Sequence, residues 1–312
     1  MTTPPRRSLA EHAQAPCARP TPLSDHPPRT SLIRRAVRRL GDGPTHTLEL
    51  AGDVLGLSGH PGAASAAVFQ MLGADPRFLV DEEGVWSLDP TLAPLGAPLC
   101  EVPFAVVDVE TTGGRAWNGH RIVEIAIVEV RDGAIVDEYE TLVNPGQGVP
   151  SMITSLTGIT SDMTAIAPYF DHIAEDVARR LEGRAFVAHN ATFDWSFVSA
   201  ELVRANVDVP NVPKLCTVRM VRRLVPVLRH RNLDVVTRHF GVDIHARHRA
   251  HGDALATARV LLRLLDEASG RGVEDLATLQ WYLKRRRQRK VFNPDQYSLE
   301  LPGYEPRRRR RR

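Results

Sequence analysis

The chain has 312 residues, 43% hydrophobic and 25% charged, with a net charge of +3. That length allows two modest domains with cores of their own, and no apolar run reaches membrane length, so a membrane role is not expected. Cys17, Cys100 and Cys216 are scattered without a Cys-x-x-Cys pair, which speaks against zinc or disulfide scaffolds and for a reducing cytoplasm. The N-terminal arginines lead into no apolar core, so no secretory signal is expected. The charge is uneven: twelve Lys/Arg against three acids lie between Lys284 and Arg312, leaving a slightly acidic body with one basic tail.

Residues 1–28 hold seven prolines and little apolar matter, and read as disordered. Residues 29–90 read as a small winged-helix-like α+β domain. Three helical patterns, Ser31–Leu40, Thr45–Leu57 and Gly62–Leu72, precede a β-hairpin built from Arg77–Asp81 and Val85–Leu88 around a Glu-Glu-Gly turn. The third helix offers only Ser65 and Gln70 as polar readers, and the basic residues sit on the first. Sequence-specific DNA reading is therefore not expected of it; backbone or protein contact is. Residues 91–101, with Pro94, Gly96 and Pro98, read as a linker.

Residues 102–269 carry the chemistry. Phe104–Val107 is a run of β-formers and reads as a buried strand, followed by Asp108-Val-Glu110-Thr-Thr-Gly113. Period two puts both carboxylates on one face. Two like charges so close are costly unless a cation sits between them, and hard oxygen ligands favour Mg²⁺ or Mn²⁺. Strands over Arg121–Val130 and Ala134–Val143, joined at Asp132-Gly133, complete an antiparallel meander. Helices at Ser151–Leu156 and Phe170–Leu181, a buried strand at Arg184–His189, a short strand near Val212–Cys216 and a long helix over Gly252–Ala268 then indicate a mixed α/β sheet. Asn190 is positioned to cap a helix whose first turn contains Phe193 and Asp194. His248-Arg-Ala-His-Gly-Asp253 opens the last helix, with Asp253 at its buried end.

Asp108, Glu110, Asp194 and Asp253, with His248 five residues before the last, resemble the DEDDh family of 3′–5′ exonucleases, including the proofreading epsilon subunit of bacterial DNA polymerase III. Leu156-Thr-Gly-Ile-Thr160 and the segment from Leu215 to Arg219 add to the likeness, which spans about Phe104 to Glu267. The sister family places tyrosine four residues before the final Asp; here that position is Arg249, so the histidine class fits. The resemblance implies an RNase H-like fold with a five-stranded sheet. It also implies that Asp108 bridges two divalent ions, Mg²⁺ or Mn²⁺, that Glu110 and Asp253 complete the ion that activates water, and that Asp194 acts through bound water. Such ions sit about 3.5–4 Å apart. His248 is then the general base, since imidazole titrates near neutrality; His251 and His245 are rivals without the family spacing. Thr111 and Thr112 stand where the family holds the terminal nucleotide with backbone N–H groups. His189, Asn190 and Phe193 join them as the substrate side of the site, with His189 and Asn190 orienting the Asp194 helix.

The expected function is hydrolysis of single-stranded DNA from its 3′ end in replication proofreading or repair. RNA or short oligonucleotides are the alternative substrates, and a catalytically silent nucleic-acid-binding or scaffold module is the alternative of another class. Residues 270–312 read as a basic, largely disordered tail suited to phosphate contact. Within it, Gln296-Tyr-Ser-Leu-Glu-Leu301 resembles the short bacterial sliding-clamp-binding motif, with Glu300 departing from its five-residue form, so a clamp or a replicative polymerase is an expected partner.

Overall fold

The computed structural model describes residues 32–89 and 98–284. The basic stretch beyond Lys284, with the clamp-like Gln296–Leu301 segment, and the Pro-rich N-terminus lie outside the described residues.

The N-terminal unit runs α1 (Leu32–Gly41), β1 (Thr45–His46), α2 (Thr47–Leu50) continuing into a π-helical turn (Ala51–Leu55), α3 (Pro61–Leu72), β2 (Phe78–Val80) and β3 (Val85–Leu88). The three strands form an antiparallel sheet in the order β1-β3-β2. The stretch Thr45–Leu57, read as one helix, instead begins as a strand, because Thr45 pairs with Trp86 and His46 with Val85. Trp86 explains the choice: it is fully buried, packs edge-on against Phe69 with ring centroids 4.9 Å apart, and donates its indole N–H to Thr47 Oγ1 at 3.0 Å.

The second unit holds a mixed five-stranded sheet flanked by helices, as expected of an RNase H-like fold. β4 (Phe104–Thr111), β5 (Ile122–Arg131) and β6 (Ala134–Leu142) form the meander, and β7 (Ala185–Ala188) and β8 (Lys214–Cys216) add to β4 in parallel, giving the order β6-β5-β4-β7-β8. The turn between β5 and β6 needs two left-handed residues, and Asp132 and Gly133 supply φ values of 51° and 74°. α4 (Ser151–Thr157), α5 (Ser161–Ala165), α6 (Phe170–Leu181) and α7 (Ala191–Arg204) precede β8. α8 (Thr217–Leu224), α9 (Leu233–Phe240), α10 (Ala250–Gly270) and α11 (Leu276–Lys284) follow it.

Alternation along β4 builds two cores. Ala105, Val107 and Val109 pack with α6 and α7 side chains such as Phe170, Val177, Phe197 and Leu202. Phe104 and Val106 pack with Leu224 of α8, Val236 of α9 and Ala254, Ala258 and Leu261 of α10. Asp108 and Glu110 continue this second row beyond Val106. The last apolar layer under the α10 side of the sheet therefore gives way to two carboxylates.

α11 falls in the stretch read as tail. It is a packed helix because Leu279 and Tyr282 are buried, and the Tyr282 ring lies 5.2 Å from the Arg77 guanidinium and 4.7 Å from that of Arg223. With the Arg34–Glu274 ion pair at 2.5 Å, this contact joins the N-terminal unit to the second unit.

Candidate active site

Four elements bring the acids together. β4 supplies Asp108 and Glu110, and its register against β5 shifts between Glu110 and Thr111. Such a bulge bends a strand and re-aims its side chains. Asp194 enters from the first turn of α7 and is buried, its carboxylate accepting backbone N–H groups of Val109 and of its own residue. Asp253 enters from the first turn of α10, also buried. One oxygen each from Asp108, Glu110 and Asp253 lies within 4.8 Å of the others.

The charges are strained by this proximity. Burial, then Asp194, Asp253 and Glu110, push the Asp108 carboxyl well above the ordinary range. Burial, then Asp253 and Glu124, push Glu110 up to about 8. Burial pushes Asp194 up to about 7, against its two backbone N–H donors. Asp253 is raised by burial too, and Arg247 and His248 oppose the rise. A divalent cation among these carboxyls would favour their ionised forms.

The donor set fits a hard divalent ion. Oδ2 of Asp253 is occupied: it pairs with Arg247 Nη1 and accepts the N–H of His248 at 3.2 Å. Oδ1 of Asp253 is buried and has no hydrogen-bond partner. A buried carboxylate oxygen without a donor is costly, and an ion shared with Asp108 and Glu110 satisfies it.

His248 lies half-buried in the turn before α10, in the left-handed region at φ 62°. The turn folds tightly onto the helix: a Cβ on Gly252 would meet the carbonyl oxygen of His245 at 2.0 Å, so only glycine fits. Of the rival bases, His251 is engaged by Glu138 at 2.6 Å and Glu140 at 3.6 Å on β6, and His245 is in the same turn as His248.

The residues assigned to substrate are largely turned to internal use. Thr111 Oγ1 donates to the Gly113 carbonyl at 2.7 Å. Thr112 Oγ1 accepts from Arg121 N–H at 3.0 Å, and its N–H goes to the Arg121 carbonyl at 2.9 Å, so the backbone donation expected of Thr112 is spent within the protein. His189 meets Thr217 Oγ1 at 2.8 Å, and its Nε2 donates to the Arg231 carbonyl at 2.9 Å; burial lowers its proton affinity. Asn190 does occupy the N-cap of α7, but at φ 87° its side chain makes no capping bond. It serves by tolerating a left-handed backbone. Phe193 is half-buried against Phe197, with ring centroids 5.0 Å apart.

The profile of the exonuclease family (RNase_T) matches residues 105–261, which contain all four acids and His248. The chain belongs to this exonuclease family. Over 164 residues it is 35% identical to the 3′-5′ exonuclease DinG of Bacillus subtilis, covering 53% of this chain and 18% of that protein. It is 33% identical over 176 residues to the PolC-type DNA polymerase III of Bacillus cereus, covering 56% of this chain and 12% of the polymerase. The chain thus matches less than a fifth of the length of these relatives. Among solved structures, Exonuclease X in complex with 5′ overhanging duplex DNA aligns at 27% identity and a TM-score of 0.44, over 53% of this chain and 93% of that one.

Two residues beside the acids, Glu124 and Arg247, escaped the sequence reading, as did the partner of Arg249. Arg249 fills the position where the sister family has tyrosine, and it reaches Glu124 at 2.5 Å while staying partly exposed. Arg247 bridges Asp253 and Asp234, the latter at 2.8 Å. The available signal was Glu124 itself, an acid inside the apolar run Ile122-Val-Glu-Ile-Ala.

Proposed function

We propose that this chain is a metal-dependent 3′–5′ exonuclease that hydrolyses phosphodiester bonds from the 3′ end of single-stranded DNA. The observation that carries the proposal is the convergence of Asp108, Glu110 and Asp253 oxygens within 4.8 Å, with an unpartnered Asp253 oxygen among them. DNA rather than RNA is favoured by relatives named as a 3′-5′ exonuclease and a DNA polymerase III, which also support a setting in replication or repair. That setting is cytoplasmic, and Mg²⁺ is the proposed ion, with Mn²⁺ as its substitute.

Asp108, Glu110, Asp194 and Asp253 would hold the ions in this reading. When bound, those ions neutralise the phosphate and favour ionisation of the attacking water. Asp108, flanked by the other three carboxyls, would be the central ligand. Arg247 holds Asp253 by Oδ2, which leaves Oδ1 as its ligand atom. His248, carried by the turn that packs onto α10, accepts the proton of the attacking water. The phosphodiester oxygen on the penultimate sugar leaves with a proton from solvent, and a nucleoside 5′-monophosphate is released.

A strand labelled at its 5′ end tests the polarity. Shortening from the far end, one nucleotide at a time, supports the proposal. Parallel lanes with duplex DNA and RNA rank the substrates. Faster loss of RNA would transfer the assignment to RNA trimming, and no cleavage of any strand with either ion would leave a binding module.

A further inference from the structure

The arginines around the acid cluster fall into two groups. Arg121 is spent on Glu201 at 2.6 Å, Arg249 on Glu124 at 2.5 Å, and Arg247 on Asp234 and Asp253. Arg229, His230 and Arg231, between α8 and α9, have no acidic partner among the described residues. Arg229 and His230 are exposed and Arg231 is half-buried. The Arg231 guanidinium is only partly used: Nη1 donates to the Arg229 carbonyl at 3.0 Å, while Nε is buried without a partner. An unmet buried donor on a cation calls for an acceptor, and an anionic one meets the charge as well.

Two tethers place this segment on the rim of the acid cluster. The Arg231 carbonyl accepts from His189, in the turn that leads into α7 and Asp194, at 2.9 Å. Asp234, in the first turn of the helix that follows, is separated from Asp253 by one guanidinium, that of Arg247. The neighbouring arginines above are each paired with acids and have less charge to offer a phosphodiester. Among the described residues, Arg229 and Arg231 have no acid paired with them, so their field is open to an anion.

We propose that Arg229 and Arg231 grip the sugar–phosphate backbone of the nucleic-acid strand whose 3′ end lies among the acids, each taking one phosphate, with His230 adding a ring contact. This rests on the exonuclease reading above. It assigns the strand's path over the rim beside α9, and it makes the pair determinants of substrate affinity rather than of chemistry.

The test is steady-state cleavage of a labelled single-stranded oligodeoxynucleotide by the full chain, from about 50 to about 200 mM salt, for wild type, Arg229→Ala, Arg231→Ala, the double variant and Arg231→Lys. Arg238→Ala, in the last turn of the same α9, is the control. The expected result is a KM raised about tenfold per lost arginine, kcat within about twofold, and a salt slope shallower by about one for each phosphate contact removed. Arg231→Lys recovers part of the loss, and Arg238→Ala behaves as wild type. Circular dichroism confirms that each variant is folded. An unchanged KM and salt slope in a folded double variant, with wild type active, would overturn the rim assignment alone. If wild type cleaves nothing, the exonuclease reading fails. Calorimetric binding of the same oligonucleotide then judges the rim, with equal affinity for wild type and double variant refuting it and weaker affinity in the variant sustaining it.

Discussion

Glu124 stands directly opposite Glu110 on the neighbouring strand, and Arg249 pairs with Glu124 and leaves Glu110 without an arginine hydrogen bond. Arg249 donates to Glu124 through Nε at 3.0 Å and Nη2 at 2.5 Å, and the Ala250 N–H adds a bond at 2.8 Å. Glu124 is thereby bound to the start of α10, the helix that carries Asp253. Glu110 receives no such partner and is pushed up to about 8. One ion pair both fixes the α10 acid against the sheet and withdraws a rival carboxylate from it.

Arg249→Ala leaves Glu124 buried opposite Glu110 with only a backbone donor. Removing one partner of a buried pair is strongly destabilising, and the partial exposure of Arg249 moderates the loss to about 2–3 kcal/mol. Urea unfolding of the metal-free protein measures it. A change below about 0.5 kcal/mol would show that the pair does not hold α10 to the sheet.

The pH dependence of stability has a definite sign. Glu110, raised from 4.5 to about 8, and Asp194, raised from 3.8 to about 7, keep their protons in the folded protein after the unfolded chain has lost them. The folded state then binds more protons, so stability falls as pH rises from about 4.5 through about 8. Without metal, the melting temperature is expected to drop across that interval and to recover when Mn²⁺ is added at the alkaline end. Glu110→Gln flattens the drop. A metal-free protein whose stability rises with pH across this window would contradict the crowded-carboxyl picture.

His248→Ala is expected to lower kcat by about 10²–10⁴-fold, the usual worth of a general base. Mn²⁺ affinity by calorimetry stays near wild type, since His248 is no ligand in this scheme. The acidic limb of the pH–rate profile disappears with the imidazole. A limb that survives unchanged would pass the role to another group, with His251 the first to test.

Much of this could be read from residue order because it depends on local patterns. The alternation of β4 places Asp108 and Glu110 on one row, the Asp132-Gly133 turn closes the β5–β6 hairpin, and the apolar stripe of α10 carries Asp253 to its buried end. What escaped depends on distant partners. Thr45 and His46 become a strand because Trp86 and Val85 pair with them. Leu276–Lys284 looked like tail because its burial rests on Arg77 and Arg223 around Tyr282. Glu124 and Arg249 are 125 positions apart, and no spacing rule links them. Thr112 could be placed beside Glu110, but the Arg121 carbonyl that takes its N–H could not.

The central claim is that carboxylates gathered around Asp108 hold the ions that cleave nucleic acid. The most direct measurement compares wild type and Asp108→Ala on a 5′-labelled single strand, with Mg²⁺, with Mn²⁺ and with chelator. Wild type is expected to shorten the strand with either ion and to stop in chelator. Asp108→Ala is expected to stay folded, with no loss of metal-free stability because a repelling carboxyl is gone, and to lose cleavage under every condition. Turnover near wild type in a folded Asp108→Ala protein, or cleavage that persists in chelator, would contradict the account.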